Sequence, residues 1–428
     1  MKKLLLIFVL QGYMMASVLL NLEIKGVNIP VIFQKDSRLP LRNIELIFKD
    51  SGYLASNEAG VASLSAKLLS EGTKKDGSIE FAKELEDRAL SFHIDIGRET
   101  FVISLSGLSS EFDFGLQKIK ELLQDPNYTK ESFKKVQTQQ LGKILQKQNS
   151  FDYIAANNLR AILFPNTPLA NPELGTLESV KAITLEQLRE FIDSHLHLNN
   201  LIVVVGGDFK KESLLNSLKS LLEILTIKDV PTIKKFEANS NPSKKIVYKD
   251  TDQAYIYFGA PFNMEVNSSK RAFAKVASFI LGSSGFGSRL MEEIRVKRGL
   301  AYSAYSRLVI NKTNSYLSGY LQTKLQSANE AQEVVKEVVK SFVKDGVTQK
   351  ELNEAKDFFL GSEPLRGETL AQKLHRDFKE YYDGLGLGYH KKELKEIKDM
   401  KLEDLNSFIK SHPEIVNLSF SIVTKKDN

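Results

Sequence analysis

Six histidines, His93, His195, His197, His375, His390 and His412, are the only imidazoles in 428 residues, and there is no cysteine. Metal binding or nucleophilic catalysis would have to be built from these, from carboxylates or from hydroxyls. The lack of thiols excludes disulfides, thiolate metal sites and a cysteine nucleophile. His195 and His197 stand two apart near a helix end, where they do not share a face, and they read as capping or surface imidazoles. His390 with Glu393, in "HKKE", is half a metal motif without a second histidine and reads as surface. There is no Gly-x-Ser-x-Gly elbow, and "GSSGFGSR" lacks the lysine and the strand-to-helix setting of a phosphate loop.

Two further stretches invite a chemical reading. "GVASLSAKLLSEGT", from Gly60 to Thr73, has Val61, Leu64 and Leu68 at helical spacing, so its first reading is an amphipathic core helix. "EIRVKRGLAY" contains Arg295 and Tyr302. Read without context, Arg295 is a solvated residue among Arg289, Lys297 and Arg298, and Tyr302 is a strand core aromatic. Just before them, Gly282, Gly285 and Gly287 of "GSSGFGS" allow either a tight turn or the close approach of backbone to a ligand.

The elements that must position these residues are organised by a repeat. "TLEQLREFIDSHLHLNNLIVVV" from Thr184 and "KLEDLNSFIKSHPEIVNLSFSI" from Lys401 align without a gap at a constant offset of 217 residues. Leu185/Leu402, Leu188/Leu405, Phe191/Phe408, His195/His412, Asn200/Asn417 and Leu201/Leu418 pair across it. Each copy predicts an amphipathic helix, a short turn and a strand. Strand-like segments open each half, "NLEIKGVNIPVIFQK" and "NIELIFKDSG" in the first and "KIVYKDTDQAYIYFGAPF" in the second. Further strands and long helices follow, among them "EFDFGLQKIKELLQD" and "ANEAQEVVKEVVKSFVKDG". The pattern predicts α+β halves over residues 22–226 and 246–428, each a mostly antiparallel sheet covered on one face by helices. Residues 227–245, rich in Lys, Asn, Ser and Pro, read as the linker.

These segments resemble the pitrilysin/insulinase family of zinc peptidases, in the short branch similar to mitochondrial processing peptidase. The resemblance covers nearly all of the chain after the N-terminal segment. It is carried by "NEAGVASLSAKLLSEGT", "FPNTPLANPELGTLESVKAIT" and "LIVVVGGD" in the first half, and by "LGSSGFGSRLMEEIRVKRGLAYSAYS" in the second. It implies two homologous halves that enclose one side of a chamber. Active members have an inverted zinc motif, His-x-x-Glu-His, with a further Glu on a later helix. Two imidazoles four residues apart bind one Zn²⁺, and the Glu between them reaches the metal-bound water.

Laid on that motif, this chain has Ser63, Ala66 and Lys67 at the His, Glu and His positions. Ser is a poor zinc ligand, Ala has no base, and a lysine ammonium repels the cation. "FKKVQTQQLGKILQKQNS", Phe133 to Ser150, stands where the further Glu would be and has no carboxylate. The expectation is therefore no metal and no catalytic group in this chain. The resemblance gives Arg295 and Tyr302 the role of contacting the substrate backbone near the scissile bond and holding the developing oxyanion. A guanidinium and a phenol are suitable donors for charge that grows in the transition state. The glycine-rich segment resembles the one that precedes this helix in the family, and it reads either as a tight turn or as a substrate-gating loop.

The implied function is that of the non-zinc-binding subunit of a heterodimeric zinc metallopeptidase. Its partner would be a related chain with an intact His-x-x-Glu-His and the zinc, and its substrate a peptide or unfolded protein. A non-proteolytic peptide-binding or scaffold subunit is the alternative, and a self-sufficient hydrolase with an unrecognised site the third. The net charge of +6 is spread in mixed Lys/Glu patterns, which does not point to nucleic acid. "MKKLLLIFVLQGYMMA" has the basic start, apolar run and small terminal residue of a secretory signal with cleavage after Ala16. Export to the periplasm, without a membrane span, is the expectation.

Overall fold

The computed structural model describes residues 17–426; the expected leader and its cleavage point at Ala16 lie outside them. The first half contains β1 (Val18–Ile24), β2 (Val27–Lys35), β3 (Leu41–Lys49), α1 (Val61–Leu69), α2 (Gly77–Glu86), β4 (Leu90–Ile96) and β5 (Thr100–Leu108). It continues through α3 (Phe112–Gln124), α4 (Lys130–Lys147), α5 (Phe151–Leu163), α6 (Leu177–Ala182), α7 (Leu185–His195), β6 (Leu201–Gly207) and α8 (Lys211–Leu222). The second half begins with β7 (Lys244–Tyr248), β8 (Gln253–Pro261), α9 (Arg271–Ser278), α10 (Arg289–Met291), β9 (Ala301–Ile310) and β10 (Ser315–Lys324). It ends with α11 (Ala328–Asp345), α12 (Gln349–Ser362), α13 (Leu370–Tyr382), α14 (Tyr389–Asp399), α15 (Leu402–Lys410) and β11 (Ser419–Thr424).

The sheets run β1-β2-β6-β3-β5-β4 and β7-β11-β8-β10-β9. Without β1 the two orders are the same, and so are the directions: the β2/β6 and β7/β11 pairs are parallel and every other pair is antiparallel. In each half the strand from the repeat lies inside the sheet. That is why "LIVVVGG" of β6 is an unbroken apolar run, buried at every residue.

The repeat extends to its hydrogen bonds. His195 closes α7 with Nδ1 2.8 Å from the Phe191 carbonyl and its ring stacked on Phe191 at 4.3 Å. His412 follows α15 with Nδ1 2.9 Å from the Phe408 carbonyl and its ring 4.4 Å from that of Phe408. Both are C-terminal caps, and burial lowers the pKa of His195. For His197, read as a cap or a surface residue, and for His390, read as surface, the surface position needs correction. His197 is buried, with Nδ1 2.7 Å from Thr226 Oγ1, because the chain turns inward there to enter β6. His390 is half-buried and bonded through Nδ1 to Glu380 at 2.8 Å.

Each half packs its own helices on one face of its sheet, but the other face is not bare. Helix α5 of the first half lies on the second sheet, where Leu159 and Leu163 join Val309 and Tyr316. Its Asp152 accepts hydrogen bonds from Tyr257 at 3.1 Å and Gln322 at 3.2 Å. Helix α13 of the second half lies on the first sheet, with Leu370, Leu374, Phe378 and Tyr382 over Ile32, Ile47, Ile202 and Val204. The halves thus exchange one helix each. At their seam Glu99, 7% exposed, accepts hydrogen bonds from the Thr313 amide, the Thr313 hydroxyl and the Tyr382 hydroxyl. Residues 227–243 are without regular structure yet partly docked: Ile233, Phe236 and Ala238 pack beside Leu159 and Tyr316, and the Asn239 amide donates to the Leu163 carbonyl.

Candidate functional site

Helix α1 is buried at every residue except Lys67, which is half-buried. Val61, Leu64 and Leu68 lie in the core. Ser63 donates to the Glu173 carbonyl at 2.7 Å, so its hydroxyl anchors a loop. Burial, aided by the charge of Lys143 on α4, lowers the pKa of Lys67. On α4, Gln140 donates to the Leu174 carbonyl at 2.9 Å and Gln137 to the Val180 carbonyl at 2.9 Å. At the three positions that the resemblance assigns to the zinc motif, the chain thus has a hydroxyl, a methyl and an amine. These residues do not fit the metal. Among the described residues, no group of three or more His, Asp or Glu is placed to hold one.

The second half is different. Phe279–Ser283 and Glu292–Val296 are π-helical turns, a form that often marks functional sites. Arg295 lies in the second of these. Its three basic neighbours are committed to carboxylates. Arg289 makes a bidentate pair with Glu351 at 2.5 and 2.9 Å, and Lys297 and Arg298 both bind Glu293, whose pKa those two bonds lower. Arg295 has no ion pair among the described residues. Its guanidinium carbon lies 4.5 Å from the ring centroid of Phe286 and 4.4 Å from that of Tyr302. Both rings are largely exposed, Phe286 at 71% and Tyr302 at 81%, so Tyr302 is no core aromatic. At these distances both rings are in cation–π range of the guanidinium, an interaction that does not use its N–H donors.

Local backbone chemistry creates this arrangement. Strand β9 is a sheet edge, and a β-bulge sets Tyr302 and Ser303 against the single residue Gln322 of β10. A bulge re-aims side chains, and here Tyr302 leaves the alternation that buries Ala301 and Ala304. The glycines divide the remaining work. A Cβ on Gly282 would come 2.6 Å from the Ser306 amide, so this glycine brings the π turn against β9. Gly285 and Gly287 have φ of +69° and +88° in open space and turn the chain on either side of Phe286. The sequence reading named Arg295, Tyr302 and the three glycines but missed Phe286. A large apolar residue between two glycines was the available signal.

The duplicated sheet-and-helix fold is that of a peptidase-like chain, as comparison with known proteins shows. Residues 49–177 match the insulinase (peptidase family M16) domain, and residues 182–359 match the peptidase M16 inactive domain. A Helicobacter pylori protein described as non-peptidase homolog YmxG is 43% identical over 429 residues, covering 100% of this chain and 99% of that protein. The chain belongs to the insulinase (M16) peptidase family. The crystal structure of a peptidase M16 inactive domain from Pseudomonas fluorescens matches with a TM-score of 0.88 at 22% identity, over 96% of this chain and 98% of that one. That of a protease from Helicobacter pylori matches with a TM-score of 0.85 at 16% identity, over 96% and 100%. No helix among the described residues is long and apolar enough to cross a membrane.

Proposed function

We propose that the chain is the non-zinc-binding subunit of a two-chain zinc peptidase. It acts on peptides or unfolded proteins in an exported compartment, the periplasm, after loss of its leader. In this reading a related partner with an intact His-x-x-Glu-His holds the zinc, and Arg295 and Tyr302 contact the backbone of the bound peptide. The observation that carries the reading is Arg295 itself. Among the described residues it is the one basic residue of its segment without a carboxylate, and its guanidinium carbon lies within 4.5 Å of the centroids of two exposed rings. Preorganised donors stabilise charge that develops in a transition state.

The test is the composition of the complex recovered from its native compartment. One related partner of similar size and one zinc per heterodimer is the expected result. A metal-free monomer or homodimer overturns the reading. The relative's description as a non-peptidase homolog favours a second function, that of a non-proteolytic peptide-binding subunit. In that case Arg295→Ala leaves the turnover of the complex unchanged.

A further inference from the structure

A cavity of about 630 Å³ opens in the second half between α9, α12, α13 and α14, within the size range of ligand sites. Its place in the fold is informative. "AKVASFIL", Ala274 to Leu281, follows the burial pattern of "ASLSAKLL", Ala62 to Leu69, at every position but one: Lys275 is half-buried where Ser63 is buried. Lys275, Ser278 and Phe279 thus stand in the second half where Ser63, Ala66 and Lys67 stand in the first, and all three line the cavity.

The floor is aromatic. Phe279 and Phe358 lie 4.6 Å apart between ring centroids, with Phe359 against both. Phe358 is nevertheless 47% exposed. The rim is charged but nearly all of it is neutralised. Arg271 and Lys379 pair with Asp383, Lys275 with Glu393, Arg376 with Glu363, and His390 with Glu380. Arg366 is the exception among the lining arginines and lysines. It touches Ser362 at 3.3 Å, lies 5.8 and 5.4 Å from the centroids of Phe358 and Phe359, and has no carboxylate partner among the described residues.

We propose that this cavity holds the carboxy-terminal residue of a polypeptide, its large apolar side chain on Phe279 and Phe358 and its terminal carboxylate on Arg366. A polyanion would meet the four rim carboxylates, whereas one unpaired guanidinium suits one carboxylate. A chain end, rather than a small acid, is indicated by the surroundings. Ser283 and Ser284 line the cavity, and Phe286, two residues on, covers Arg295. A polypeptide leaving the cavity has that exposed aromatic surface beside it. The binding belongs to this chain alone and stands apart from the shared-site reading.

The experiment measures fluorescence anisotropy of a ten-residue unstructured peptide, labelled at its N-terminus and ending in phenylalanine, with the chain alone. The free acid is expected to bind at least about tenfold more tightly than the C-terminal amide. Arg366→Gln removes that discrimination, while Phe358→Ala and Phe358→Leu weaken both forms and keep it. Unchanged thermal melts of the variants confirm that the fold is intact. Equal binding of acid and amide, discrimination that survives Arg366→Gln, or no binding at all overturns the proposal. Competition by 3-phenylpropionate as strong as that of the unlabelled peptide also overturns it, in favour of a small-acid site.

Discussion

What sets Arg295 apart is the company it lacks. Three basic residues around it are tied to Glu293 and Glu351, and it alone has no carboxylate partner among the described residues. In the assembled complex, Arg295→Ala is expected to reduce kcat/KM by about 2.7 kcal/mol, roughly a hundredfold, when turnover of a quenched peptide is followed. Phe286→Ala removes one of the two rings that fix the guanidinium and should give a smaller loss, which Phe286→Tyr restores. Lys67 yields a prediction that involves no partner. Its pKa is lowered on folding, so the unfolded chain binds more protons between the folded value and the ordinary lysine value. Stability therefore rises with pH across that window. Lys67→Met should unfold at higher urea than the natural chain at pH 7, and the gap should narrow as pH approaches 10.5. At this scale the sequence revealed residue types but not exposure. Tyr302 sits in an edge strand whose alternation a bulge interrupts, and the bulge is fixed by pairing with β10.

Among elements, the glycine-rich segment separates two uses of one residue type. Gly282→Ala drives a Cβ into the backbone of Ser306 and should cost about 1–3 kcal/mol in urea unfolding. Gly285→Ala meets no atom and carries only the strain of a positive φ, about 1–2 kcal/mol. The first should also disturb Tyr302 through β9, and the second should act on Phe286. The helices and strands themselves were legible because apolar periodicity is local. The pairing of Phe191 with Phe408 and of His195 with His412 was legible too, and its cause is now visible: in both copies the imidazole caps the carbonyl of the phenylalanine four residues before it and packs on its ring. The π turns were not legible, since an i to i+5 register leaves almost no trace in periodicity.

For the whole molecule, the sequence disclosed two halves but not their exchange of helices. The apolar stripes of α5 and α13 announce burial without saying on which sheet. Residues 17–226 alone would expose Ile32, Ile47, Ile202 and Val204, which α13 now covers. Each such side chain loses about 1.5–3 kcal/mol of burial. That fragment is expected to be insoluble or to bind a hydrophobic dye strongly, and co-expression with residues 227–428 should recover a soluble complex. Two soluble, independently melting fragments would contradict this.

The exchange also sets an order of events in synthesis. The first sheet can complete its own pairing once β6 has been made, but its second face waits for α13, near the end of the chain. Until then an apolar surface stays open, a hazard for aggregation. The last contacts to form join residues as distant as Ile32 and Leu374, so closure is slow by the measure of sequence separation. A holdase that shields apolar surface during this interval should raise the yield of the native chain more than it would for a protein whose halves close by themselves.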